Sequence, residues 1–246
     1  MTARENGRSA IKNSILPIQW EKNKRSVDEI IKIINNHPIK NHQLTKMLLD
    51  ESLSLNQLLL THSEFKYTFS EVFAELLLKL MLNSNCLYER TGNMDAVVAA
   101  RFIIQINLLD ELGYKPGVEN NNYIGDPTQA HFNQLRLTMK SLNITESDYI
   151  PSSAAVSIRQ LLEDSTGIDL AIGAALLFAS EFLFPMFANT FARNLSSKAE
   201  YDTSKGFHSI HTDDDEGENI EDEHSGDCLH LLILAVTNTN LSLIHI

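Results

Sequence analysis

Cysteine is nearly absent from this 246-residue chain: Cys86 and Cys228 stand far apart and form no CxxC. Two such residues cannot build a disulfide framework or a thiolate metal site. A reducing cytoplasm is the simplest compartment for them. Turn residues are scarce as well. Ten glycines and six prolines are too few for the many short strands of a β-sandwich, which leaves helices as the expected fabric. Clustered basic residues are missing. The formal net charge is −12, and residues 213–223 (DDDEGENIEDE) hold eight acids and no base. Phosphate contacts need grouped Lys and Arg, so nucleic acid is excluded as an expected partner. The opening MTARENGRSAIKNS lacks the apolar stretch of a secretory signal.

What is present suits one globular domain with a substantial core: 43% of the residues are hydrophobic. The most apolar segment, Leu170 to Phe191, has the length of a membrane span. Glu181 lies at its centre, however, where an ionised acid costs roughly 3 kcal/mol on insertion scales. Pro185 follows one turn later. The segment therefore reads as a buried core helix carrying a functional acid, and no membrane partner is expected.

Residues 1–25 read as a flexible leader and 26–240 as the helical domain. Ser26 with Glu29 forms a capping box that opens a helix ending at His37-Pro38. A short helix spans His42 to Leu49. From Leu53 to Leu82 the apolar residues recur at three- and four-residue intervals, which predicts a long helix with one broad apolar face. A polar loop covers Asn83 to Asn93. The next helix, Met94 to Leu112, is closed by Gly113. After a loop over 114–127, helices are predicted for Thr128–Leu142, Ser153–Glu163, the apolar segment, and Asp222–Val236. Residues 241–246 (LSLIHI) resemble a conceptual translation of sequencing-adapter DNA and are set apart from the domain.

Several acids and histidines lie in apolar surroundings on separate helices. They are Glu64 before Phe65 and Phe69, Glu111 in INLLDELG, His131 in GDPTQAH, and Glu181 in SEFLFP. His211 and Asp215 stand four apart, on one face if that stretch is helical. Glu64 beside Lys66 also reads as a solvated charge, Glu111 as the polar end of an amphipathic helix, and His211 as a surface partner of acids. Glu181 is different, because a carboxylate in a dry helix must be paired, protonated or metal-bound. The acidic run is no EF-hand: with Asp213 and Asp215 as the first ligands, Glu218 falls where glycine is required. HExxH, GxSxG, P-loop and GxGxxG motifs are absent. Carboxylates and imidazoles from different helices, without cysteine, suit a pair of iron or manganese ions.

Taken in order, LSLNQLLLTHSEFKYTF, INLLDELG, GDPTQAH with LRLTMKSLNI, SEFLFP and the HxxxD of His211 and Asp215 resemble the haem-oxygenase-like diiron oxidase superfamily, which includes the iron-containing redox enzymes. The resemblance covers roughly residues 53–224. It implies an all-α, haem-oxygenase-like bundle of about seven helices and a non-haem diiron oxidase or oxygenase acting with O2 on a small organic substrate. It further implies two iron ions, or an iron–manganese pair, held by Glu64, Glu111, His131, Glu181, His211, Asp215 and His224, and it leaves a homodimer open. Glu218 stands where the family carries a further histidine, so Glu218 competes with His224 for that role. Glu71 and Glu75 are reserves for Glu64. A dry pocket lined by Phe69, Phe73, Phe182 and Phe184 is expected beside the metals. The rival readings are a metal-free, thiaminase-like or cofactor-biosynthesis-like bundle and a non-catalytic interaction protein.

Overall fold

The computed structural model describes residues 2–116, 123–144, 149–165, 169–199, 201–211 and 220–236. Asp215, Glu218 and the closing LSLIHI lie outside them. Helices dominate, as expected from the scarcity of turn residues. In chain order they are α1 (Ala3–Asn13), α2 (Pro17–Asn35), α3 (Gln43–Leu49), α4 (Leu55–Phe65), α5 (Phe73–Asn83), α6 (Cys86–Thr91) and α7 (Met94–Glu111). A hairpin of β1 (Tyr114–Pro116) and β2 (Tyr123–Gly125) follows, then α8 (His131–Ser141), α9 (Ser153–Ser165), α10 (Leu170–Ala199), α11 (Phe207–His211) and α12 (Ile220–Ala235). The expected seven helices are thus exceeded, because short helices fill stretches read as loops. Within the predicted 83–93 loop lies α6, and within the 114–127 loop lies the antiparallel β1–β2 pair.

The first 25 residues are not a flexible leader. Thr2 and Glu5 form a reciprocal capping box that starts α1. Ile11 is fully buried, and α1 packs on α7 and α12. Gly7 is what lets it approach: a Cβ there would stand 2.4 Å from Ile103 Cδ1. Ser26 caps nothing, since α2 runs through it from Pro17, the favoured residue for a first helical position.

The long helix expected over 53–82 is broken. A π-helical turn over Lys66–Ser70 separates α4 from α5, marked by the Glu71 N–H donating to the Lys66 carbonyl five residues back. Helix α10 is longer than expected and carries Pro185 inside it, with a 40° bend there. A proline in mid-helix loses a hydrogen bond and crowds the carbonyl four residues back. No single helix among the described residues is long and apolar enough to cross a membrane; the two bent halves of α10 pass that test together on length and composition. The main core lies among α10, α12, α5 and α7, with α10 on α12 and α5 and with α7 on α5 and α12, around Phe178, Leu77, Leu80, Ile103, Ile104 and Leu232.

Candidate metal centre

Glu111 is the last residue of α7 and His131 the first of α8, twenty positions apart. Gly113 joins them. Its φ of +81° turns the chain out of α7, a conformation that costs glycine little. A Cβ there would meet the Asp126 carbonyl at 2.5 Å and the Ala130 nitrogen at 2.6 Å. The backbone after α7 is thereby pressed against the start of α8, and His131 Nδ1 comes within 3.0 Å of Glu111 Oε1. His131 Nδ1 is buried and has no hydrogen-bond partner of acceptable geometry.

Three further side chains face the same space from other helices. The buried Glu181 comes from α10, His211 from α11 and His224 from α12. The His211 ring stands edge-on to His131, centroids 4.9 Å apart. His224 presents Nδ1 to Glu181 Oε2 at 3.6 Å and Nε2 to Asp110 Oδ2 at 3.4 Å. Its pKa answers to opposing causes: burial disfavours the charged form, but the bonds to Asp110 and Glu181 prevail and push it up to about 10. His211 goes the other way, held well below the usual imidazole range by burial and by the nearby His131, His224 and His208.

Phe65, Phe69, Phe73, Phe184 and Phe207 complete the cavity, with Ser70 and Ser180. Of the four phenylalanines expected there, Phe69, Phe73 and Phe184 line it, while Phe182 packs on Phe178 instead. The cavity is narrow: about 30 Å³ of it is open to a water-sized guest. Phe65, Phe69 and Phe73, at four-residue spacing across the π turn, form this wall, with neighbouring rings tilted on one another and centroids 5.6 and 4.7 Å apart.

Glu64 does not join this set. Its carboxylate accepts from Ser152 N at 3.2 Å and Ser152 Oγ at 3.1 Å, at the start of α9. An acid there offsets the unpaired N–H groups and the positive dipole end of the helix. The Tyr149 hydroxyl nearby is buried without a hydrogen-bond partner of acceptable geometry, and burial, with the Glu64 carboxylate alongside, raises its pKa. The reserves are placed elsewhere too: Glu71 pairs with Lys66 and Arg159, and Glu75 with Lys79.

In kind, the cavity's donors fit iron or manganese: carboxylate oxygens and imidazole nitrogens with no thiolate. The 3.0 Å between His131 Nδ1 and Glu111 Oε1 is also the separation of two neighbouring ligands at right angles, each roughly 2.1 Å from one ion. In closeness the set consists of pairs. Among the described residues no three His, Cys, Asp or Glu side chains are gathered tightly enough to hold an ion as they stand.

Reasoning from sequence missed several residues. Asp110 precedes Glu111, and Asp227 follows His224 by three positions, a spacing that puts both on one helix face. Asp227 is fully buried. His62 and His208 form a second buried pair, Nε2 to Nε2 at 3.0 Å. His62 Nδ1 donates to the Leu58 carbonyl at 2.7 Å, so its Nε2 accepts from His208. Burial, with His62 alongside, pushes the His208 pKa down to about 3. Phe65, Phe184 and Phe207 separate this pair from the cavity. Only the three-residue spacing of His208 and His211 hinted at it. Compared with known proteins, the chain matches no family model, and no curated protein matches it.

Proposed function

We propose that this chain is a non-haem diiron oxidase or oxygenase built on a haem-oxygenase-like bundle. The observation that carries the reading is convergence: Glu111, His131, Glu181, His211 and His224, drawn from five helices, line one buried cavity. Glu111 and Glu181 would offer oxygens and the three histidines nitrogens, with Asp215 from the acidic segment as the further ligand named by the resemblance. Iron held there would supply the redox capacity to activate O2. The phenylalanines exclude water, which strengthens electrostatic interactions inside the site. Asp110 accepts from His224 Nε2 and keeps Nδ1 turned to Glu181, so the ring is oriented before any ion arrives.

One observation favours the metal-free rival. Both ring nitrogens of His224 already face carboxylates, Asp110 at 3.4 Å and Glu181 at 3.6 Å, an arrangement that suits an imidazolium and needs no cation from outside. The two readings part on anaerobic addition of ferrous iron followed by oxygen. An oxidase takes up about two irons per chain, as a carboxylate-bridged bundle site does, and consumes oxygen. A chain that takes up no iron is the metal-free bundle or the non-catalytic interaction protein.

A further inference from the structure

Helix α1, which the sequence presents as a leader, reaches the wall of the cavity. Its Arg4 pairs through one guanidinium nitrogen with Asp110 and through the other with Asp227, and it donates to Asn107 Oδ1 at 3.2 Å. Asp110 is next to Glu111 on α7, and Asp227 lies one turn beyond His224 on α12. Arg4 therefore ties together the two helices that carry these candidate ligands. The Asp110 oxygen that Arg4 engages, Oδ2, is the same atom that faces His224 Nε2 at 3.4 Å. Arg8, one turn on, donates to Asp227 Oδ1 at 2.6 Å and to the Glu223 carbonyl at 2.6 Å. It makes no bond to Asp110. The two arginines divide the work: Arg8 anchors α1 on α12, and Arg4 fixes the carboxylate that orients His224.

We propose that Arg4 is a positioning residue of the centre, acting through Asp110 on the His224 ring, so that the site is complete only with α1 docked. The inference rests on the proposed metal reading for its consequence, but its geometric core concerns the metal-free chain. A planar guanidinium engages the two carboxylates through two nitrogens held apart in a fixed fork, an arrangement that the single nitrogen of a lysine ammonium does not reproduce. Arg4→Lys thus keeps the charge and loses the bridge, leaving Asp110 free to turn from the ring.

The test uses the full-length chain and has two readouts. In metal-free protein at fixed pH, the His224 Nε2 proton is followed by NMR. In wild type it gives a signal protected from solvent exchange by the bond to Asp110. In Arg4→Lys that signal shifts or is lost to exchange, and Asp110→Asn, which keeps the shape at that position, shifts it too. Arg8→Lys lowers stability and leaves the signal in place. Ferrous iron titrated into the same proteins binds 10- to 100-fold more weakly to Arg4→Lys and Asp110→Asn, the usual effect of losing a partner that orients a ligand, and equally well to Arg8→Lys. An unchanged His224 signal in folded Arg4→Lys overturns the proposal. So does an equal effect of Arg8→Lys, which would make both arginines simple anchors of α1. Should Arg4→Lys fail to fold, Arg4→Gln, which leaves Asp110 in place, is read by the same signal, and an unchanged signal in it overturns the proposal. Wild type that binds no iron would defeat the metal reading, while the NMR readout still decides the positioning role.

Discussion

The two walls of the cavity use acids in opposite ways. On the α4–α5 wall, Glu64, Glu71 and Glu75 all turn outward, to the start of α9, to Lys66 and Arg159, and to Lys79. Phenylalanines face inward there. On the α7–α12 wall, Glu111 and Asp110 turn inward to His131 and His224, and buried Asp227 is held from outside by Arg4 and Arg8. One wall keeps water out and the other supplies donors. What separates them is the partner available. On the first wall the partners are surface cations and a helix terminus, and on the second they are buried imidazoles and the guanidinium groups that α1 brings to Asp110 and Asp227 from outside.

The largest effect that would break this contrast is on metal content. His131→Ala and Glu181→Ala, loaded anaerobically, are expected to lose bound iron, whereas Glu64→Gln keeps the wild-type amount. Equal iron in all three would erase the difference between the walls. Stability comes next. Arg4→Ala strips a buried carboxylate of one of its two guanidinium partners; leaving such a charge with no partner costs about 3–5 kcal/mol, and because Arg8 stays on Asp227 the expected loss falls below that range. Urea unfolding measures it, and a loss within about 0.5 kcal/mol, the range of ordinary surface substitutions, would place α1 on the surface as a loose segment.

The pH dependence follows from two histidines with opposite shifts. His208, ordinarily near 6.5 but held near 3, stays neutral in the folded chain while the unfolded chain takes up a proton. Its effect is nil above pH 6.5 and lowers stability progressively from 6.5 down to about 3; His62 and His211 act in the same direction. His224, held near 10, keeps its proton when folded. Its contribution is complete below 6.5 and fades as the pH rises from 6.5 through about 10. The metal-free chain should therefore be most stable near pH 6.5, and replacing His224 with Gln should flatten the alkaline side only. Denaturant midpoints from pH 4 to 10 check both limbs, and a rise in stability from pH 6.5 to 9 would refute the alkaline one. The smallest effect is that of Glu64→Gln on folding, about 0.3–1 kcal/mol for a charge at a helix N-terminus, readable as a modest drop in Tm.

Much of this is legible in the amino-acid sequence. The boundaries of α7, and within two or three residues those of α8 and α12, follow from apolar spacing and from Gly113; Glu111, His131, Glu181 and His211 stand out by the residues around them, and His224 enters only through the resemblance. Glu64 was misplaced because its direction depends on the π turn and on Ser152, 88 residues away. No local pattern encodes either. Helix α1 was missed for a related reason: ARENGRSAIKN buries little but Gly7 and Ile11, and its anchors, Asp110 and Asp227, lie more than a hundred residues along the chain. An amphipathic stripe shows in a sequence; an ion pair between distant residues does not. His62 and His208, 146 residues apart, were hidden in the same way.

The most direct measurement is anomalous diffraction at the iron edge from crystals of anaerobically loaded protein. Two peaks are expected inside the cavity bounded by Glu111, His131, Glu181, His211 and His224, and none beside Glu64. An empty cavity in crystals whose protein carries iron elsewhere would contradict it.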